Sequence, residues 1–117
     1  MVSFHEVLGV ALLVVCFGAA ALGFVAYRRG RAGGLVTQAL VLAQTALIAQ
    51  AAIGLLLLSD DRRAPDRLHY AYGAFALGAV LAPWFYAPAV GPKRLLWFAG
   101  MTFLAGALAV RAFMTGA

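Results

Sequence analysis

Four long runs of apolar residues follow one another along the chain, and short polar stretches separate them. Each run is close to the roughly 20 residues that an α-helix needs to cross the hydrocarbon core of a bilayer. The runs are continuous and lack the alternation of apolar and polar residues that is typical of a half-buried strand. The pattern predicts membrane-spanning helices at about 6–27, 35–58, 68–86 and 95–114.

The three connections contain the glycine, proline and charged residues that are typical of loops. They are Arg28–Gly34, Ser59–Arg67 and Ala87–Arg94. Connections this short make neighbouring helices run antiparallel. The sequence therefore predicts one all-α integral membrane domain over residues 1–117, folded as an up-down-up-down four-helix bundle.

The composition agrees with a lipid environment. Hydrophobic residues make up 65% of the chain and charged residues only 11%, whereas a soluble domain carries about 25% charged residues. The net charge of +5 does not indicate nucleic acid as a partner, because no basic stripe alternates with aromatic residues. Positive residues follow the first apolar run instead of preceding it, so we expect a retained helix and not a signal peptide.

The distribution of basic residues predicts the orientation in the membrane. One side of the predicted bundle has five basic residues and no acid, whereas the other has four basic and four acidic residues. The first group is Arg28, Arg29, Arg31, Lys93 and Arg94; the second is Arg62, Arg63, Arg67 and Arg111 with Glu6, Asp60, Asp61 and Asp66. Because cytoplasmic loops are enriched in Lys and Arg, the first side is predicted to be cytoplasmic. Both termini then lie outside the plasma membrane of a prokaryote.

Three features inside the predicted helices bear on packing. Cys16 lies in the middle of the first helix and is expected to be a small buried apolar residue. Pro83 is expected to kink the third helix or mark its last turn, because proline has no N–H to donate. Gln38, Gln44 and Gln50 are each expected to point into the bundle and find a partner, since unpaired polar groups in lipid are costly.

The two histidines of the chain occupy matching positions. His5 opens the first helix and His69 opens the third, and each has a glycine four residues later, Gly9 and Gly73. Both imidazoles are predicted near the outer surface on diagonal helices, where they can ligate a heme iron from both sides. Residues four apart share a helical face, so each glycine is expected to leave room for the porphyrin ring.

Two further residues are candidates for the same site. Arg111, at the outer end of the fourth helix, is expected to face the heme propionates. Gln50 is expected to lie against a heme edge, a quinone or a histidine. No pair of acids within the membrane, no Ser-His-Asp set and no phosphate-binding loop occurs in the sequence.

The chain resembles one half of the heme A synthase family. His5-Glu6-Val7-Leu8-Gly9 is similar to the family's His-Arg-x-x-Gly start, and the stretch from Gln50 to Leu58, followed by a loop and Leu68-His69, resembles its Gln-x-x-x-Gly, apolar run, Leu-His sequence. The resemblance covers about four-fifths of the chain. It implies a four-helix bundle with a histidine at the outer ends of its first and third helices, and hence a heme between them.

The sequence also departs from this family. The family places a glutamate about one turn before its first histidine, where this chain has Met1 and Val2, and many members have an outer-loop cysteine pair that is missing here. One bundle is expected to hold at most one heme. The resemblance therefore implies heme binding more than heme A synthesis, and enzymatic activity of the single chain is not expected.

Three hypotheses follow. The first is a cytochrome-like protein with a b-type, bis-histidine heme that serves electron transfer or heme handling, as a homo-oligomer or within a respiratory membrane complex. The second is an accessory subunit of a larger membrane complex, without a cofactor. The third is a quinone-binding protein with a site formed by His69, Tyr70, Tyr72 and Gln50.

Overall fold

The computed structural model describes residues 2–30, 33–59, 68–89 and 91–116. Across these residues the fold is all-helical, which confirms the predicted class. The charged residues of the predicted outer loop and Arg31 lie outside the described residues. The helices are α1 Val2–Arg29, α2 Gly34–Ser59, α3 Leu68–Leu81, the four-residue α4 Pro83–Tyr86, and α5 Pro92–Gly116.

The long helices pack side by side, each antiparallel to the next along the chain. The start of α1 lies beside the later part of α2, because Gln50 bonds to His5. The start of α3 lies beside the end of α5, because His69 bonds to Ala112. α5 packs along both α1 and α3, and α2 packs mainly on α1, whereas the α1 and α3 backbones are not neighbours. The first and third long helices are therefore diagonal, and the bundle measures 47 × 24 × 19 Å.

Small residues let α1 and α5 approach closely. A Cβ atom at Gly23 would lie 2.7 Å from the Cβ of Ala99, and one at Gly106 would lie 3.2 Å from the Cβ of Cys16. Close backbone approach is how helices associate where lipid removes the hydrophobic driving force. Cys16 is fully buried at this contact, as its sequence position predicts.

Proline divides the third predicted helix. α3 ends at Leu81 and α4 begins at Pro83, which has no N–H to donate to the preceding turn. Ala82 between them keeps helical dihedral angles, donates to Gly78 O, and accepts from the N–H groups of Phe85 and Tyr86. The interruption therefore loses backbone hydrogen bonds around Pro83, while the chain continues in a helical conformation through Ala82.

In the part of the chain that the structure describes, three helices are long and apolar enough to cross a membrane, over Phe4–Arg29, Gly34–Leu56 and Lys93–Met114. Large apolar side chains face outward on them, among them Val14 and Leu35, each about 70% exposed. An apolar surface of this kind is consistent with lipid contact. With 14 residues, α3 spans roughly 21 Å, less than the bilayer core of about 30 Å.

Candidate functional site

The structure brings the two histidines together at one end of the bundle. The ring centroids of His5 and His69 are 6.1 Å apart, and their planes are inclined at 74°. Two imidazoles on opposite sides of one metal, each with a metal–nitrogen bond of about 2 Å, have centroids roughly 6 Å apart. Both planes contain the metal–nitrogen bond in such a complex, so a large angle between them is compatible with it. The histidine pair thus has the separation that axial ligation requires.

His69 is oriented by the backbone of α5. Its Nδ1 lies 2.6 Å from the carbonyl oxygen of Ala112, so a proton on Nδ1 is donated to this acceptor. The Nε2 atom of a neutral imidazole then carries the free lone pair. Metal-ligating histidines commonly donate their other N–H to a carbonyl in this way, which fixes tautomer and ring orientation. The ring of Tyr70 also contacts His69 edge-on, with centroids 5.6 Å apart.

His5 is held from the side of α2 by Gln50 and Gly54. The Nε2 of Gln50 donates to the carbonyl oxygen of His5 at 2.7 Å, and a Cβ at Gly54 would lie 3.5 Å from the Cε1 of His5. Gln50 and Gly54 are four residues apart and share one helical face. This face forms a seat for the imidazole.

Two polar atoms in this seat are buried and unpaired. They are the Nδ1 of His5 and the Oε1 of Gln50, neither of which has a hydrogen-bond partner among the described residues. A buried unsatisfied donor or acceptor costs about 1–3 kcal/mol, so most such atoms in folded proteins are paired. The seat is therefore incomplete as it stands.

The two glycines below the histidines have different surroundings. A Cβ at Gly9 would lie 3.2 Å from the Nε2 of Gln50 and 3.6 Å from the ring of Phe113, so the space expected for a porphyrin there is occupied. A Cβ at Gly73 would have no atom of the described residues within 4 Å. Open space therefore lies beneath His69, while Gly9 instead permits the close approach of Gln50.

Arg111 lies at the same end, near His69. It is exposed, and its guanidinium carbon lies 5.6 Å from the ring centroid of Tyr72, three residues after His69. Ala112, the acceptor for His69, is the next residue of α5. Tyr72 thus faces Arg111, and the Gln50 amide contacts His5.

The three glutamines of α2 meet different environments. Gln50 bonds to His5, and the Oε1 of Gln44 accepts from the indole Nε1 of Trp84 at 2.8 Å. Gln38 is exposed, contrary to the expectation that all three point into the bundle.

The residues present fit a planar cofactor with two axial ligands better than a metal ion held by protein alone. In the described part of the chain, no three side chains of the metal-ligating types lie together. A heme needs only axial ligands from the protein, because the macrocycle supplies the other four. The histidine pair and the open space at Gly73 are the features that agree with this cofactor.

Sequence reasoning identified the histidines but missed several of their neighbours. Gly54 enters the sequence patterns only as the glycine of the Gln-x-x-x-Gly stretch, although its position four residues after Gln50 indicates a shared face. Ala112 acts through its carbonyl oxygen, which any residue could provide, and nothing in the sequence marks it. Phe113 fills the space beside Gly9, and it too carries no sequence signal.

No family model, curated protein or solved structure matches this chain. The resemblance to heme A synthase therefore rests only on the residues quoted for it.

Proposed function

We propose that this chain is a membrane protein that binds one b-type heme between His5 and His69. The observation that carries the proposal is the pair of imidazoles with centroids 6.1 Å apart, one of them already oriented by the Ala112 carbonyl. The family resemblance leads to the same two residues independently of their distance. A heme with both axial positions filled supplies low-spin, one-electron chemistry, which suits electron transfer or heme handling.

Each residue at this end has a defined role in the proposal. His69 ligates through Nε2, because its Nδ1 is committed to Ala112. His5 would provide the second ligand, and it lies against the face of α2 that carries Gln50 and Gly54. Gly73 leaves space for the macrocycle beneath His69. Arg111 provides positive charge for propionates at the water boundary, where a long side chain can reach the interface.

The proposed topology has four crossings with both termini outside. α1, α2 and α5 are long enough to span the bilayer, and the fourth crossing combines α3, Ala82 and α4. Residues 68–86 together span roughly 28 Å at 1.5 Å per residue, close to the core thickness. The basic residues of the opposite end, among them Arg28, Arg29 and Lys93, support a cytoplasmic location for that end in the plasma membrane of a prokaryote. A homo-oligomer or a respiratory membrane complex is the proposed setting.

The direct test is the absorption spectrum of detergent-purified protein, oxidised and then reduced, from cells supplied with heme. We expect a sharp Soret band that shifts on reduction, with resolved α and β bands. His5→Ala should yield a five-coordinate, high-spin spectrum, and His69→Ala should lose most of the heme. Phe4→Ala is the matched control, since Phe4 adjoins His5 but is 58% exposed.

The alternatives predict other results. A cofactor-free accessory subunit is colourless and stays colourless on heme titration, which would exclude the heme proposal. A quinone site built around His69 and Gln50 also gives a colourless protein, but one in which His69→Ala weakens quinone binding while His5→Ala does not.

A further inference from the structure

The two unpaired polar atoms at the histidine end are chemically complementary. Gln50 Oε1 can only accept a hydrogen bond, and His5 Nδ1 donates one when it carries the ring proton. Both are buried, and the described residues offer neither atom another partner. Their residues are already joined, because the Nε2 of Gln50 donates to the carbonyl oxygen of His5 at 2.7 Å.

His69 has a backbone hydrogen-bond acceptor, whereas His5 has none among the described residues. The Nδ1 of His69 has the Ala112 carbonyl oxygen as its acceptor at 2.6 Å, which leaves Nε2 as the ligating atom. Among the described residues, no backbone carbonyl accepts a hydrogen bond from the Nδ1 of His5. The side chain that bonds to His5 is that of Gln50. The two ligands would then be oriented differently, one by a fixed backbone carbonyl and the other by a side chain that can rotate.

We infer that Gln50 is the positioning residue for His5: its Nε2 anchors the His5 carbonyl, and its Oε1 accepts the Nδ1–H of the His5 imidazole. This bond holds His5 in the tautomer with a free Nε2 and turns that atom toward His69. Bringing the Oε1 of Gln50 to the Nδ1 of His5 requires a rotation of the amide or the imidazole about the existing bond. The inference rests on the proposed heme site, because only a ligating His5 needs a fixed Nε2.

Gly54 limits how the imidazole can turn. A Cβ at this position would be in van der Waals contact, at 3.5 Å, with the Cε1 atom that lies between the two ring nitrogens. The missing side chain at Gly54, one turn beyond Gln50, therefore leaves room for the ring against α2. Together the two residues fix the depth and the rotation of His5.

The test compares two substitutions that separate hydrogen bonding from size. Gln50→Met keeps the length of the side chain but removes both the donor and the acceptor. Gln50→Glu, protonated in this apolar setting, keeps a donor O–H and an acceptor carbonyl. Gln38→Met is the matched control, since Gln38 is an exposed glutamine of the same helix.

In the reduced, heme-loaded protein, carbon monoxide competes with the weaker axial ligand. Loss of an outer-shell partner weakens metal ligation by about 10–100-fold. We therefore expect Gln50→Met to bind carbon monoxide at least about tenfold more tightly than wild type. Gln50→Glu and Gln38→Met should remain close to wild type.

Nitrogen-15 NMR of histidine-labelled apoprotein gives a readout that does not depend on heme. We expect His5 to be mainly the Nδ1–H tautomer in wild type and in Gln50→Glu, and a mixture of tautomers in Gln50→Met. A wild-type His5 that is mainly the Nε2–H tautomer overturns the inference, even if Gln50→Met does not fold.

The outcomes separate the two proposals. If the wild type has a low-spin heme but Gln50→Met behaves like Gln38→Met, the positioning role is wrong and the heme site stands. If the wild type binds no heme, both fail.

Discussion

The polar side chains at the two ends of the bundle differ in their hydrogen-bond pairing. At one end, the tryptophan end (Gln44, Trp84, Arg94 and Phe98), the indole N–H donates to Gln44 and the Arg94 guanidinium lies over two aromatic rings. At the other, the histidine end (His5, Gln50, His69 and Ala112), one His5 nitrogen and one Gln50 oxygen are buried without a partner. The same helix, α2, provides a glutamine to each end.

This difference separates a hydrogen bond between two side chains from two buried polar atoms without a partner among the described residues. Interhelical hydrogen bonds in membranes contribute about 0.6 kcal/mol on average, so the Trp84–Gln44 bond needs no other purpose than packing. Unpaired buried atoms instead cost free energy and call for a ligand or a functional explanation. The histidine end, with open space at Gly73, is where a ligand would complete the structure.

The largest expected effect concerns that open space. Gly73→Leu places a side chain where no atom now lies within 4 Å of the Cβ position, one turn beneath His69. If the macrocycle occupies this space, heme content per protein should fall at least about tenfold, because overlap of ligand and side chain leaves no compatible position. The helix itself should tolerate leucine well. Heme is measured by the pyridine hemochrome assay.

Gly78→Leu is the control for this substitution. A Cβ at Gly78 also has no atom within 4 Å, and Gly78 lies on the same helix but is exposed and farther from the histidines. Its heme content should equal that of wild type. Equal heme content in Gly73→Leu and Gly78→Leu would mean that the space beneath His69 holds no ligand.

A smaller effect is expected when the two glutamines are compared directly in apoprotein. Gln44→Leu leaves the indole N–H of Trp84 without its acceptor and should destabilise the bundle by about 0.6 kcal/mol. Gln50→Leu removes the donor to the His5 carbonyl and, by the inference above, also the acceptor for the His5 Nδ1–H, so its effect should be larger. Unfolding in mixed detergent micelles measures both.

A Trp84→Phe, Gln44→Leu double-mutant cycle isolates the pair energy at the tryptophan end. A coupling energy near zero would show that Trp84 and Gln44 do not stabilise each other. The contrast between the tryptophan end and the histidine end would then disappear.

The helical class followed from the sequence because it depends on the lengths and continuity of apolar runs. The same holds for the burial of Cys16 and the interruption near Pro83, which follow from local chemistry. Gln44 and Gln50, by contrast, have similar sequence surroundings, and their different partners come from helix rotation and depth. Whether the space beside Gly9 or Gly73 is open also depends on neighbours from other helices, such as Phe113.

The smallest effects should come from the arginine at each end. Arg94 lies 5.6 Å from the Trp84 centroid and 5.0 Å from that of Phe98, whereas Arg111 lies 5.6 Å from Tyr72. Cation–π contacts at accessible sites contribute about 0.5–1 kcal/mol. Arg94→Gln should therefore lower the stability of the apoprotein by about 0.5 kcal/mol and leave the heme spectrum unchanged.

Arg111→Gln should act on the cofactor as well as on stability. Removing a positive charge beside the heme favours the ferric state, which carries one more positive charge than the ferrous state, so the midpoint potential should fall. Arg111→Lys retains the charge and should restore most of the potential while losing the planar contact with Tyr72. A potentiometric titration of wild type, Arg111→Gln and Arg111→Lys, with Arg94→Gln as the control, measures these midpoint potentials. Because a charge acts on the heme only over a short distance through protein and water, equal shifts from Arg94 and Arg111 would place the cofactor midway between the ends and not beside the histidines.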